Sequence, residues 1–125
     1  MKIYYDDDAD IELIKNFNVT IVGYGSQGHA HANNLNDSGV SVTVALREGS
    51  SSWNKASDAG LNVSSVEESI PNADLVMMLA PDEFQRGIFE RSIKPNLKSD
   101  AILAFAHGFN IHFKKIIAEK TNSVI

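Results

Sequence analysis

The run Val19-Thr20-Ile21-Val22-Gly23-Tyr24-Gly25-Ser26-Gln27-Gly28 constrains the fold more than any other stretch of the chain. A short β-rich segment, Val19 to Val22, passes straight into a G-x-G-x-x-G turn, and a helix-forming run follows. Strand, glycine turn and helix start in that order form the setting in which this spacing means dinucleotide binding rather than an ordinary loop. Gly23 allows the tight turn, Gly25 lets backbone approach a pyrophosphate, and Gly28 lets the helix pack close to the strand. The N–H groups of Tyr24 to Gln27, at the positive end of the helix dipole, are the expected phosphate ligands.

The rest of the chain alternates in the same way. Ile11, Leu13 and Ile14 suggest a short leading helix, and Gly28, Ala32 and Leu35 fall on one face of the helix after the turn. Gly39 reads as its stop. Val40 to Leu46 is a second strand, Ser51 to Gly60 a helix, and Leu61 to Val63 a short strand. Ser64-Ser65-Val66-Glu67 has capping-box spacing for a third helix, and Asp82 with Gln85 repeats that spacing for the next. Asp74 to Leu79 and Ala101 to Ala106 are apolar runs of the length of buried parallel strands. Ile111 to Lys120 reads as a helix, and Ser123-Val124-Ile125 as a strand just beginning. Strands alternating with helices predict an α/β domain with a doubly wound parallel sheet of the Rossmann type. A six-stranded fold of that kind would need the last strand completed. The expectation is therefore a dinucleotide-binding domain over residues 1–125, incomplete at its C-terminal end. A complete small five-stranded domain is the alternative.

Composition narrows the function. At 125 residues the chain is long enough for one core. A formal charge of −5 argues against nucleic acid, whose phosphates demand a basic face. There is no cysteine, which removes disulfides and thiol chemistry and is compatible with a reducing, cytoplasmic setting. No signal peptide or membrane span is visible, and Asp6 to Asp8 read as a solvated acidic turn.

In this fold an acid at the tip of the second strand binds the ribose of NAD, whereas an Arg accommodates the 2′-phosphate of NADP. Both signals are present, because the strand ends Ala45-Leu46-Arg47-Glu48. Arg47 comes first, and Ser50, Ser51 and Ser52 follow with hydroxyl donors, a set suited to a phosphate. NADP is the favoured cofactor on this reading. Glu48 remains open as a ribose ligand or a solvated acid, and a helix cap alone would justify Ser51 or Ser52. Asp82-Glu83-Phe84-Gln85 follows the fourth strand, in the crevice where ligands bind, or is simply a helix start. His107 follows a buried strand, at the carboxyl edge of the sheet where a nicotinamide would lie, and a histidine there can exchange a proton near neutral pH. His29 and His31 are two apart on one helix and face different directions, so they form no metal site, and His112 has no obvious partner. No HExxH or helically spaced carboxylate pair is present.

The strings GYGSQGHAHANNL, VALREGSSSW, LAPDEFQ and AFAHGFNIHF, with the opening KIYYDDDADIELIK, resemble in collinear order the N-terminal domain of ketol-acid reductoisomerases. The resemblance runs from Lys2 to the last residue. It implies that Arg47, Ser50 and Ser52 hold the adenosine phosphate, that the run Asp82 to Gln85 touches the cofactor, and that His107 is the active-site histidine. It further implies that the complete enzyme converts 2-acetolactate or 2-aceto-2-hydroxybutyrate to a 2,3-dihydroxy acid in branched-chain amino-acid biosynthesis. Magnesium, bound by carboxylates of a C-terminal helical domain, promotes the alkyl shift, and NADPH then reduces the ketone. On that reading this chain carries no metal ligand, stops before that C-terminal domain and is inactive alone. The family is dimeric or larger through that other domain, so a monomer is expected here. Two other classes share the glycine turn: a different nicotinamide reductase, such as an imine or pyrroline reductase, and a non-enzymatic nucleotide sensor. The HAHA and AHGFN strings set the first apart, and Arg47 at the strand tip sets the second apart.

Overall fold

A computed structural model describes all residues, 1–125. Its centre is a six-stranded parallel sheet with strand order β3-β2-β1-β4-β5-β6. After a short helix α1 (Ile11–Lys15), the chain runs through β1 (Asn18–Val22), α2 (Ser26–Asp37), β2 (Ser41–Ala45), α3 (Ser52–Asp58) and β3 (Asn62–Ser64). It then crosses back through α4 (Val66–Ser69) to β4 (Leu75–Met78), α5 (Asp82–Ile88), β5 (Ile102–Phe105), α6 (Phe109–His112) and β6 (Ser123–Val124). The strand order reverses between β1 and β4, which pair in parallel from Val19↔Leu75 to Val22↔Met78. Because every strand is parallel, all carboxyl ends lie along one edge, and a topological switch point opens a crevice there.

Period-2 alternation divides the core. Val19 and Ile21 of β1 and Val42 and Val44 of β2 face α2 and α3, where they meet Ala32 and Ala56. Val22, Val76, Met78 and Leu103 face the other way, onto Ile70, Phe89, Ile93 and Ile116. Phe89 and Ile93 sit on a π-helical turn, Phe89–Ile93, that continues α5, and both side chains are buried completely or nearly so. Leu75 and Met77 are only half-buried, because on the α2 side they border an apolar groove of about 380 Å³ with Leu35, Ala104 and Ile125.

Two ionic contacts fix strand starts. Asp74 accepts the Asn18 backbone N–H at 2.8 Å and pairs with Lys98 at 2.8 Å, which ties the start of β4 to β1 and to the turn before β5. These two contacts, the Asn18 N–H foremost, hold the Asp74 carboxyl below its usual range. Glu67 accepts the Ser92 hydroxyl, and its carboxyl is likewise lowered, chiefly by that bond.

Three sequence expectations are corrected. The helix expected over Ile111 to Lys120 ends at His112, because Lys114 adopts a left-handed φ of 53°. The Asn110 carbonyl then accepts from both Lys115 and Ile116, and this turn drops Ile116 into the core. The capping box before α4 lies one residue later than expected: Ser65 accepts from the Glu68 N–H, and Glu67 turns to Ser92. Asp82 and Gln85 form no cap either. The N-cap of α5 is Pro81, and the Gln85 amide donates instead to the Ala80 carbonyl at 2.7 Å and to Asp82 Oδ1 at 3.2 Å. The terminal segment does form a paired strand: Ser123 and Val124 lie beside Ile102 and Leu103, and the Ile125 N–H reaches the Leu103 carbonyl at 3.0 Å.

Candidate functional site

The glycine turn is fixed by contacts that exclude side chains. Gly23 has φ +105°, and a Cβ there would lie 2.9 Å from the Ala80 N, inside contact distance of the β4–α5 loop. A Cβ on Gly28 would overlap the Gly23 carbonyl oxygen, so the first turn of α2 rests directly on the glycine loop. Gly25 differs: nothing lies within 4 Å of its Cβ position. The space there is open, and it faces the crevice.

Helix α2 begins with no side-chain cap. Its first internal donor is His29, to the Gly25 carbonyl at 2.9 Å, so the N–H groups of Ser26, Gln27 and Gly28 have no protein acceptor. Free donors at a helix N-terminus beside a glycine with room for a ligand fit an anionic pyrophosphate. Tyr24 contributes backbone here and not its ring. Its side chain is buried, its hydroxyl accepts from Asn33 at 3.3 Å, and His29 packs edge-on against it at 5.4 Å.

The crevice, about 530 Å³, is walled by Gly23 to Gln27 on one side and by Leu79 to Asp82 with Gln85 on another. Its third wall is Ala106 and His107, from the loop after β5. Three loops distant in sequence thus meet at the carboxyl edge of β1, β4 and β5. Glu83 and Phe84 stand beside Asp82 on the first turn of α5, but both are exposed, Phe84 at 60%, and they do not line this crevice.

His107 is exposed, and its Nδ1 accepts the Phe109 backbone N–H at 3.2 Å. A neutral ring whose Nδ1 accepts must carry its proton on Nε2. Asp82 Oδ2 lies 3.7 Å from the same Nδ1, beyond hydrogen-bond reach.

Asn110 was not singled out by its sequence. It is 2% exposed and donates to Gln85 Oε1 at 2.9 Å and to the Asp82 carbonyl at 3.0 Å. It locks the loop carrying His107 to the loop carrying Asp82. An Asn three residues after a candidate histidine gives no signal of this role, since the partners are 25 and 28 residues away. Gln85, expected to touch a cofactor, is itself buried in this lock.

A second opening lies at the tip of β2. Arg47 and Glu48 are exposed there, and Ser50 Oγ accepts the Ser52 backbone N–H at 3.3 Å, which shapes the loop into α3. Ser51 occupies the N-cap position but makes no capping bond, so the helix-cap explanation of Ser51 does not hold. Arg47 has no carboxylate within salt-bridge distance, leaving its guanidinium free for a ligand.

Elsewhere the histidines have packing roles: His31 borders the apolar groove, and His112 stacks edge-on with Phe113 at 4.8 Å. No group of three or more His, Asp or Glu side chains is arranged to hold a metal ion. The residues of this chain therefore do not fit a magnesium centre. No helix is long and apolar enough to cross a membrane.

Comparison with known proteins agrees with this geometry. A family model described as "Acetohydroxy acid isomeroreductase, NADPH-binding domain" matches residues 13–125. A solved NADH-preferring ketol-acid reductoisomerase from an uncultured archean superposes with a TM-score of 0.92 at 39% identity, over 99% of this chain and 39% of that one. The chain thus spans about two-fifths of that relative's length. An imine reductase from Myxococcus stipitatus in complex with NAD+ is 19% identical over 72% of this chain and 31% of that one, with a TM-score of 0.62. A Plasmodium falciparum pyrroline carboxylate reductase with NADP bound is 20% identical over 74% of this chain and 34% of that one, with a TM-score of 0.58. The last two share the fold alone.

Proposed function

The chain belongs to the acetohydroxy acid isomeroreductase family, matching its dinucleotide-binding domain, and on that premise we propose that it holds NADPH for the reductive step of a ketol-acid reductoisomerase. The observation that carries this reading is the meeting of a free helix N-terminus, an unobstructed Gly25 and His107 around one crevice. When bound, the cofactor supplies a hydride. The chain's own residues do the rest. The N–H groups of Ser26 and Gln27 bind the pyrophosphate, and Arg47, with Ser50 and Ser52, binds the 2′-phosphate at the far end of the dinucleotide. The first turn of α5, Asp82 to Gln85, is proposed to lie along the middle of the dinucleotide, with Glu83 and Phe84 as its exposed members.

His107 is proposed as the catalytic histidine. With Nδ1 occupied by the Phe109 N–H, its Nε2–H is the group able to donate toward an oxygen gaining charge during reduction. The substrates proposed for the whole protein are 2-acetolactate and 2-aceto-2-hydroxybutyrate, and magnesium is proposed for the whole protein only. Its ligands would come from outside these residues. A monomeric state for this chain, with the whole protein oligomeric and cytoplasmic, completes the proposal.

Calorimetric titration with NADPH and NADH tests the reading. Tighter binding of NADPH, lost or reversed in Arg47→Asp, supports it; equal affinity for both cofactors sinks the phosphate assignment. The NADH preference named for the 39%-identical relative makes this measurement decisive.

A further inference from the structure

We infer that Glu68, on the first turn of α4, is a specificity-determining residue that opposes the 2′-phosphate and favours a free ribose diol. The inference rests on the reading that the opening at the tip of β2 receives the adenosine end of the dinucleotide.

That opening is a cleft of about 690 Å³. The β2–α3 loop contributes Glu48, Ser50 and Ser51 to its wall, α3 contributes Trp53 and Asn54, and α4 contributes Glu68. The wall holds two carboxylates and no basic side chain; Arg47, the cation assigned to the phosphate, stands outside it. Glu68 lies twenty residues beyond Glu48 and in a different crossover, so linear reading of the strand tip cannot find it.

The fold delivers Glu68 to this place through a chain of short contacts. Ser64 of β3 pairs with Ala45 of β2, and its carbonyl accepts the Leu46 N–H at 3.0 Å. The Ser64 hydroxyl then donates to Glu68 Oε2 at 3.1 Å, while Ser65 Oγ accepts the Glu68 backbone N–H at 3.3 Å. The carboxylate is thereby tethered beside the end of β2, with Oε1 free of any protein donor.

A carboxylate only accepts hydrogen bonds. Ribose hydroxyls donate and match it. A phosphate presents acceptors and negative charge and does not. Arg47 and Glu68 therefore pull in opposite directions, and the cofactor preference is the difference between them. The expected net effect is a weaker discrimination than Arg47, Ser50 and Ser52 would give by themselves.

Glu68→Gln removes the charge, keeps the shape, and leaves the Ser65 cap intact because that cap uses the backbone N–H. Glu67→Gln is the control: it makes the same charge change on the same helix, but Glu67 bonds to Ser92 and does not line the cleft. Each protein is titrated with NADPH and NADH by calorimetry, with fluorescence of Trp53, the single tryptophan and a residue of this cleft, reporting occupancy. The Kd for NADPH is expected to fall roughly fivefold in Glu68→Gln, the size of one screened charge–charge interaction near a surface. NADH should bind no more tightly, the gain should shrink at high salt, and Glu67→Gln should show none of it. An unchanged NADPH affinity, or an equal gain for both cofactors, would overturn the role of Glu68 while leaving the Arg47 assignment standing. If the unmodified chain binds neither cofactor, the adenosine reading falls and the inference with it.

Discussion

Asn110 and Gln85 are hydrogen-bonded at 2.9 Å in the interior, where they join the loop after β5 to the first turn of α5. Neither is a surface residue that a ligand must first order. His107 and Asp82, on the two loops so joined, hold their spacing because this buried bond holds it for them.

Removing that bond should therefore be felt in stability. In Asn110→Ala, Gln85 Oε1 and the Asp82 carbonyl lose a donor in a buried setting, a cost of about 1–3 kcal/mol. The melting temperature should fall by roughly 3–10 °C. A melting curve superimposable on that of the unmodified protein would show that the two loops are held by packing alone.

Gly25 and Gly28 should separate binding from folding. Gly25→Val places a side chain in open space at the pyrophosphate position, so circular dichroism should stay unchanged while NADPH binding disappears. Gly28→Ala drives a Cβ into the Gly23 carbonyl and should destabilise the fold by about 1–3 kcal/mol through overpacking. Retained NADPH affinity in Gly25→Val would mean that the phosphates lie elsewhere.

Acid should weaken the protein partly through Asp74. Its folded-state pKa lies below the usual aspartate value near 3.8, so the unfolded chain takes up the proton first as pH falls. The stabilisation from its contacts with Asn18 and Lys98 is thus fully present above that usual value and is lost as pH drops through the lower, folded-state pKa. Glu67 adds in the same sense through Ser92. Denaturant midpoints measured from neutral pH down to the acid limit should fall more steeply for the unmodified protein than for Asp74→Asn. Parallel curves would remove Asp74 as a contributor.

The chemistry has its own test. With no ligand cluster for a metal among its residues, this chain should not turn over 2-acetolactate with magnesium and NADPH. In a complete enzyme, His107→Ala should lower kcat by about 10²–10⁴-fold with little change in NADPH affinity. A near-normal kcat in that variant would reduce His107 to a loop residue.

The sequence alone determined the layer order and the place of the crevice. Both follow from local signals: apolar runs of strand length, and glycines where the backbone must turn or be approached. Arg47, the glycine turn and His107 were legible for the same reason, since each sits at the end of a strand whose existence the neighbouring residues announce. Only the tertiary structure decided what lies between those points. It showed that Gln85 and Tyr24 are buried and hydrogen-bonded behind the crevice, that Ile116 enters the core through a turn at Lys114 instead of a helix, that Asn110 joins two walls of the crevice, and that Glu68 lines the cleft at the tip of β2. The role of Asn110 depends on partners 25 and 28 residues distant, Gln85 and Asp82. Hydrogen-bond pairing and burial at that range are set by how strands line up in the sheet, and no periodicity along the chain encodes them.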